Sequence, residues 1–316
     1  MPSSKKSIGI NSFSYQLPKK HLSLASLKQH NRIQSSVRTL SEFGFKQCYI
    51  ATEDELESML YLSARYTLEK SHLDPKDIDW FFLYSGIGNS GVVNSSKKSN
   101  YFDFLLSKLH YNLGLENATP LYVSQQGCSG VFSIIDLVSK IFQGDKKQHA
   151  LCLAGDMLPA GSSREIIYNI SSDAAGGFIV DNHSVKNTII SSHHITQSCY
   201  WQSSRLDQEI LAAYFPLAKR AIEACLKKAS LHLDDITWVV PHNVSLRSWE
   251  ILAKILDIPM SKIWKKNISR VGHTISSDHI INLADMEKAR VIKKGDLLLL
   301  FTFGLGAHWS CIIVEH

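Results

Sequence analysis

The chain has 316 residues, 44% of them hydrophobic and 20% charged, enough for one large domain or two ordinary ones with packed cores, and too apolar for wholesale disorder. Its formal charge of +5 comes from scattered lysines such as Lys146, Lys147, Lys265 and Lys266, without the clustered basic face of a nucleic-acid reader. No apolar run approaches the roughly 20 residues of a membrane helix, and no signal peptide follows the charged start. Six cysteines without a CxxC pair (Cys48, Cys128, Cys152, Cys199, Cys225 and Cys311) read as reduced thiols of a cytoplasmic protein.

Short apolar runs predict strands over 8–13, 80–84, 121–124, 150–154, 177–180, 188–192, 238–240, 297–303 and 311–314. Longer amphipathic stretches separate them, the pattern of an α/β protein. Thr52-x-x-Glu55 is a capping box that opens a helix to about residue 70. A second helix spans about 206–228, with Ile210, Leu211, Tyr214, Phe215, Leu217, Ala218 and Ile222 on its apolar side. Both helices run into the same word, Leu-x-x-x-Asp-Ile-x-Trp, at Leu73 to Trp80 and at Leu231 to Trp238, and each word is followed by a strand. Gly144-Asp145 and Gly295-Asp296 form a second echo, each just ahead of a strand. The repeats predict two duplicated α/β halves, residues 1–180 and 181–316, joined through the polar stretch 181–186.

Four segments carry the chemistry. In Ser124-Gln125-Gln126-Gly127-Cys128-Ser129-Gly130 a strand ends, the chain turns, and an apolar helix begins just after Cys128. A cysteine there lies among free N–H groups at the positive end of the helix dipole, which favours the nucleophilic thiolate. A buried structural cysteine is the plainer alternative for this segment taken alone. Val240-Pro241-His242-Asn243 presents a histidine at the C-terminal end of a strand, where open α/β sheets place their chemistry. Gly272-His273-Thr274-Ile275-Ser276-Ser277-Asp278 supplies a second imidazole and a carboxylate at a helix start. Phe303-Gly304-Leu305-Gly306 is a turn able to aim a backbone N–H into a cavity, the donor an oxyanion hole needs. The spacing of His193, His194 and Cys199 matches no metal site, so no metal is expected. His279 and His308 read as wall or surface residues.

In order and spacing these segments resemble the β-ketoacyl-acyl-carrier-protein synthase III family of the thiolase superfamily. That family carries A-C-[AS]-G, V-P-H-Q-A-N-x-R, G-N-T-x-x-A-S and F-G-x-G in turn. Ser172-Asp173-Ala174-Ala175-Gly176-Gly177 also resembles its G-D-G-A-G-A segment. The resemblance implies a thiolase-like fold, two duplicated halves packed as αβαβα layers, and a dimer, with a heterodimer as the alternative. It implies that Cys128 carries an acyl thioester, that the N–H groups of Cys128 and Leu305 form the oxyanion hole, and that His242 acts on the second substrate. Arg247, Gly304 and Gly306 fall at the substrate or carrier channel.

Two departures bear on function. His273 stands where the family has Asn. A Cys-His-His set is that of the elongating ketoacyl synthases, so decarboxylative condensation with a malonyl-type thioester, in fatty acid or secondary-metabolite synthesis, is the leading expectation. Asp278 points to the alternative, a non-decarboxylating transferase that makes an ester or amide, because a carboxylate paired with histidine strengthens it as a base. Asp278 serving only as a helix cap is equally open. A catalytically silent partner subunit is a third reading. The second departure is the family's coenzyme A segment, W-x-x-x-R-x-G-I-x-x-R, which here reads from Arg38 through Glu42 to Cys48. An acid where nucleotide phosphates belong favours phosphopantetheine on an acyl or peptidyl carrier protein over free coenzyme A. No bound cofactor, nucleic acid or membrane is expected.

Overall fold

The computed structural model describes residues 7–87, 104–142, 146–203 and 205–316; Gly144 and Asp145, half of the second echo, lie outside them. Nine strands form the main sheet: β1 (Gly9–Gln16), β2 (Trp80–Ser85), β3 (Thr119–Ser124), β4 (His149–Asp156), β5 (Ala174–Asp181), β6 (Thr188–Thr196), β7 (Trp238–Pro241), β8 (Leu297–Gly304) and β9 (His308–Glu315). Eight contain a predicted run whole, and β1 starts one residue after the predicted 8–13. The observed strands extend further because their ends carry polar residues, such as His193–Thr196 in β6, that an apolar criterion passes over.

The sheet runs β7-β8-β9-β6-β1-β5-β4-β2-β3, and only Gly9 and Thr188 are paired at the β1–β6 seam. On one side of the seam β1 is antiparallel to β5, β5 antiparallel to β4, and β4 parallel to β2. On the other side β6, β9, β8 and β7 repeat that order and those senses. β3 completes the first set as a parallel neighbour of β2, whereas its counterpart beside β7 is a lone parallel bridge between Val239 and Ile263. The repeated Leu-x-x-x-Asp-Ile-x-Trp words form matching corners. Each makes one tight helical turn (Pro75–Asp77 and Leu233–Asp235) and buries its isoleucine, Ile78 or Ile236, before the strand starts.

Five layers result. Helix α1 (Glu53–Ser71), opened by the Thr52/Glu55 capping box, and α2 (Leu105–Asn112) cover the outer face of the first half. Helices α4 (Asp207–Ala229) and α5 (Leu246–Leu256) cover the second. Between the sheets lie α3 (Gly130–Ile141) and α6 (Asp278–Lys288), in a core shared by both halves. α3 buries Val131, Phe132, Ile134, Ile135 and Val138. At roughly 1.5–3 kcal/mol per side chain that burial contributes on the order of 10 kcal/mol. Strands flanked by helices on both faces have no polar side, which is why all eight residues of β4 are buried.

Candidate active site

The starts of both central helices and the C-terminal ends of β3, β7 and β8 converge on one cavity of about 430 Å³. Cys128 stands on the elbow between β3 and α3. Gln125 and Gly127 take positive φ (66° and 52°), which reverses the chain within four residues. Glycine is required at 127 on a second count, because a Cβ there would lie 2.7 Å from the Leu305 nitrogen. A Cβ on Gly130 would overlap the Tyr84 ring, and the Tyr84 hydroxyl donates to the Gly127 carbonyl. The elbow is thus wedged between an aromatic plug below and the 304–305 turn above. Cys128 remains half-buried, its sulfur toward the cavity wall formed by His273.

The other half brings a histidine and its carboxylate. His273 follows Gly272, whose φ is +82°, and is pinned by its own N–H donating to the Ile170 carbonyl (2.9 Å) and its carbonyl accepting from Ser172 N–H (2.8 Å). Its Nε2 lies 3.1 Å from Cys128 Sγ, and its Nδ1 lies 2.6 Å from Asp278 Oδ2. Asp278 also accepts from the Asn243 N–H (2.6 Å) and, at its other oxygen, from the N–H and hydroxyl of Thr274, both at 2.7 Å. Burial alone would raise the Asp278 pKa, but the His273 charge and these donors outweigh it and hold the carboxyl at about 2. For His273, burial pulls the pKa down, while the Asp278 carboxylate and Cys128 sulfur push it well above the ordinary histidine value. Sulfur, imidazole and carboxylate thus form one continuous chain, Cys128–His273–Asp278.

His242 is a different kind of histidine. It sits just past β7, fully buried, with its carbonyl accepting from Trp249 Nε1 (3.0 Å) and its Nε2 3.0 Å from the Tyr214 hydroxyl. Burial, aided by the charge of His273, drives its pKa well below the ordinary value, so it is neutral. Its ring lies 6.1 Å from that of His273, nearly perpendicular to it.

The remaining expected residues separate. Leu305 lines the cavity with Cys128. Gly304 and Gly306 do not. Gly304 lets the turn pack on Gln126 and Ser129, and Gly306 has φ +128° beside His308. Arg247 reaches the cavity rim from α5, with its side chain 63% exposed and paired to Glu250 at 3.1 Å. Glu42, the acid in the altered coenzyme A segment, pairs with Arg38 on the exposed helix Val37–Glu42, while neighbouring Phe43 lines the cavity. His279 is neither wall nor surface: it is core, meeting Phe132 edge-on at 4.7 Å between ring centroids, with Nε2 donating to the Phe301 carbonyl at 3.0 Å, and burial takes its pKa to about 4.

Sequence reasoning missed Tyr214, Tyr84 and the hairpin around Ile166, Ile167 and Tyr168, which forms another wall. A hydroxyl in the middle of the apolar face of α4 was the available signal for Tyr214.

Comparison with known proteins agrees with this architecture. Residues 226–316 match the family described as 3-Oxoacyl-[acyl-carrier-protein (ACP)] synthase III C terminal. The beta-ketoacyl-[acyl-carrier-protein] synthase III of Aquifex aeolicus is 23% identical over 290 residues, covering 86% of this chain and 88% of the relative. The solved structure of that organism's 3-oxoacyl-[acyl-carrier-protein] synthase III superposes with a TM-score of 0.80 at 20% identity, covering 98% of this chain and 100% of the other. ChlB3, described as an acyltransferase, superposes with a TM-score of 0.83 at 19% identity, covering 98% and 97%. Fold and sequence together define a thiolase-fold acyltransferase. Within that class the chain is similar to β-ketoacyl-[acyl-carrier-protein] synthase III, whose C-terminal family its residues 226–316 match.

Proposed function

We propose that the protein takes an acyl group from a carrier-bound phosphopantetheine thioester onto Cys128 and passes it directly to a hydroxyl or amine. The observation that carries this reading is His273 held between Cys128 Sγ and Asp278 Oδ2. In the first step the Cys128 thiolate attacks the acyl carbon while the N–H groups of Cys128 and Leu305 hold the oxyanion. The bond to the pantetheine sulfur breaks, and the departing thiolate takes the proton from His273 Nε2. His273 is left neutral, with Nδ1–H on Asp278 and a free lone pair on Nε2. That lone pair suits it to take the proton of an incoming O–H or N–H as the acceptor attacks the thioester. Expulsion of the Cys128 thiolate beside the new imidazolium restores the starting state.

In this reading the first half (1–180) supplies the nucleophile, the second (181–316) supplies the base, and Arg247 meets an acidic carrier at the rim. No resident cofactor is needed. The exposed, partly apolar edge of β3 (Thr119–Tyr122) suits pairing with a second copy.

Condensation with a malonyl-type thioester is the second reading. It is favoured by the synthase III names of the sequence relatives and by two imidazoles facing one cavity. The separating experiment loads the protein with acyl carrier and follows Cys128 by intact mass. The adduct is then offered an alcohol, an amine or a malonyl carrier. An ester or amide product supports direct transfer; a ketide with release of carbon dioxide overturns it.

A further inference from the structure

The two ring nitrogens of His242 have very different surroundings. Its Nε2 lies 3.0 Å from the Tyr214 hydroxyl. Its Nδ1 is buried and, among the described residues, has no hydrogen-bond partner. Burying an N–H without an acceptor costs more than burying a bare ring nitrogen, whose lone pair is the weaker claim on water. The proton of this neutral imidazole therefore belongs on Nε2, where Tyr214 Oη accepts it. Tyr214 is itself fixed on every side: its ring meets Phe215 and Phe303 edge-on, at 5.0 and 5.3 Å between centroids, and its carbonyl accepts from Trp309 Nε1 at 3.2 Å. Both Tyr214 and His242 line the cavity that holds Cys128.

Losing the carboxylate of a malonyl thioester sends the electrons of the breaking carbon–carbon bond toward the thioester oxygen, giving an enolate. That oxygen needs an N–H donor in place as charge develops. His242 has one N–H, and it is engaged.

We infer that Tyr214 is a positioning residue that withholds the His242 Nε2 proton from an incoming thioester carbonyl and thereby steers the site away from malonyl decarboxylation. The inference rests on the direct-transfer reading and explains how a site with two histidines keeps to it. Tyr214 acts through His242 and has no part in the Cys128–His273–Asp278 chain.

The test compares the whole protein with Tyr214→Phe and with the double variant Tyr214→Phe/His242→Ala, each offered malonyl carrier alone. Decarboxylation is read as acetyl carrier formed, with carbon dioxide leaving and the enolate protonated by water. Tyr214→Phe is expected to raise that rate on the order of 10- to 100-fold, the range of one well-placed donor, and His242→Ala is expected to cancel the gain. A rate that is unchanged or lower in Tyr214→Phe, or a gain that survives His242→Ala, overturns the inference. Should Tyr214→Phe not fold, nitrogen NMR of the unaltered protein decides: a proton on Nε2 of His242 supports the inference, and one on Nδ1 overturns it. Direct transfer is judged separately, from the fate of the Cys128 adduct in the unaltered protein, so either idea can fail without the other.

Discussion

Helices α3 and α6 hold matching places between the two sheets, yet their first turns are built differently. The opening turn of α3 contains no acidic residue and is entered through Gly127-Cys128-Ser129. α6 starts on Asp278, whose carboxylate reaches back to Thr274, Asn243 and His273. A helix N-terminus favours one negative charge nearby. In the second half that charge is a resident of the chain and, with the Cys128 sulfur, raises the pKa of His273 against the effect of burial. In the first half the position stays open to charge that arises during reaction, on the sulfur or on a carbonyl oxygen. Duplication supplied two equivalent places, and under the proposed function filling only one of them separates nucleophile from base.

The sharpest way to break this division is Cys128→Ala. It should abolish the acyl adduct in an intact-mass scan and lower turnover on the order of 10,000-fold or more. An adduct that persists would move the nucleophile elsewhere. Next in size is Asp278→Asn, which keeps the shape and removes the charge. Turnover is expected to fall about 1,000- to 10,000-fold, measured as kcat on a preloaded carrier. The same substitution tests stability. The folded value of about 2 lies below the ordinary carboxylate value, so the stabilisation Asp278 gives is complete above about pH 4 and is lost as pH falls toward 2. The acid limb of a Tm-versus-pH curve should flatten in Asp278→Asn. His273 has the opposite sign: its contribution is present below about pH 6.5 and is lost as pH rises through its elevated folded value.

His279 gives a third test. Its folded value of about 4 lies below that of the unfolded chain, so falling pH protonates the unfolded state first. Stability should drop between about pH 6.5 and 4, by at most about 3 kcal/mol from this residue. His279→Gln keeps a donor for the Phe301 carbonyl and should lessen that drop; an unchanged curve assigns the acid sensitivity to His242 instead. Gly130→Ala comes next. The added methyl has no room against Tyr84 and should cost about 2 kcal/mol or more in a denaturant titration. Arg247→Ala is the smallest. Its exposed pair with Glu250 predicts a stability change within about 0.5 kcal/mol. If the carrier docks at the rim, KM for carrier rises several-fold while kcat holds.

All nine main strands were legible because each contains a short apolar run, and their pairing by halves was legible in a word used twice, ending at Trp80 and at Trp238. The elbow was legible too, since Gly127 and Gly130 sit where only glycine fits. Asp278 was not decidable. Five residues after a histidine, at a helix start, the same spacing allows a cap or a partner, and the choice depends on a side-chain direction set by Asn243 from 35 residues away. Tyr214 was passed over for a related reason: on α4 it reads as one more apolar position despite its hydroxyl, and its meaning comes from His242 on another element. Gly304 and Gly306 were placed at the channel by the family resemblance. Here the elbow takes the room beside Gly304, and Gly306 faces His308.

The Tyr84 ring seated against Gly130 has a consequence for how this chain can change over generations. Any side chain at 130 collides with the ring, and any smaller residue at 84 leaves the elbow without its prop. The two positions can therefore drift only in step, through a double replacement whose single intermediates are both impaired. A protein free to alter its rim and its walls is tied, at the point where the Cys128 sulfur is held, to one pair of residues inherited together.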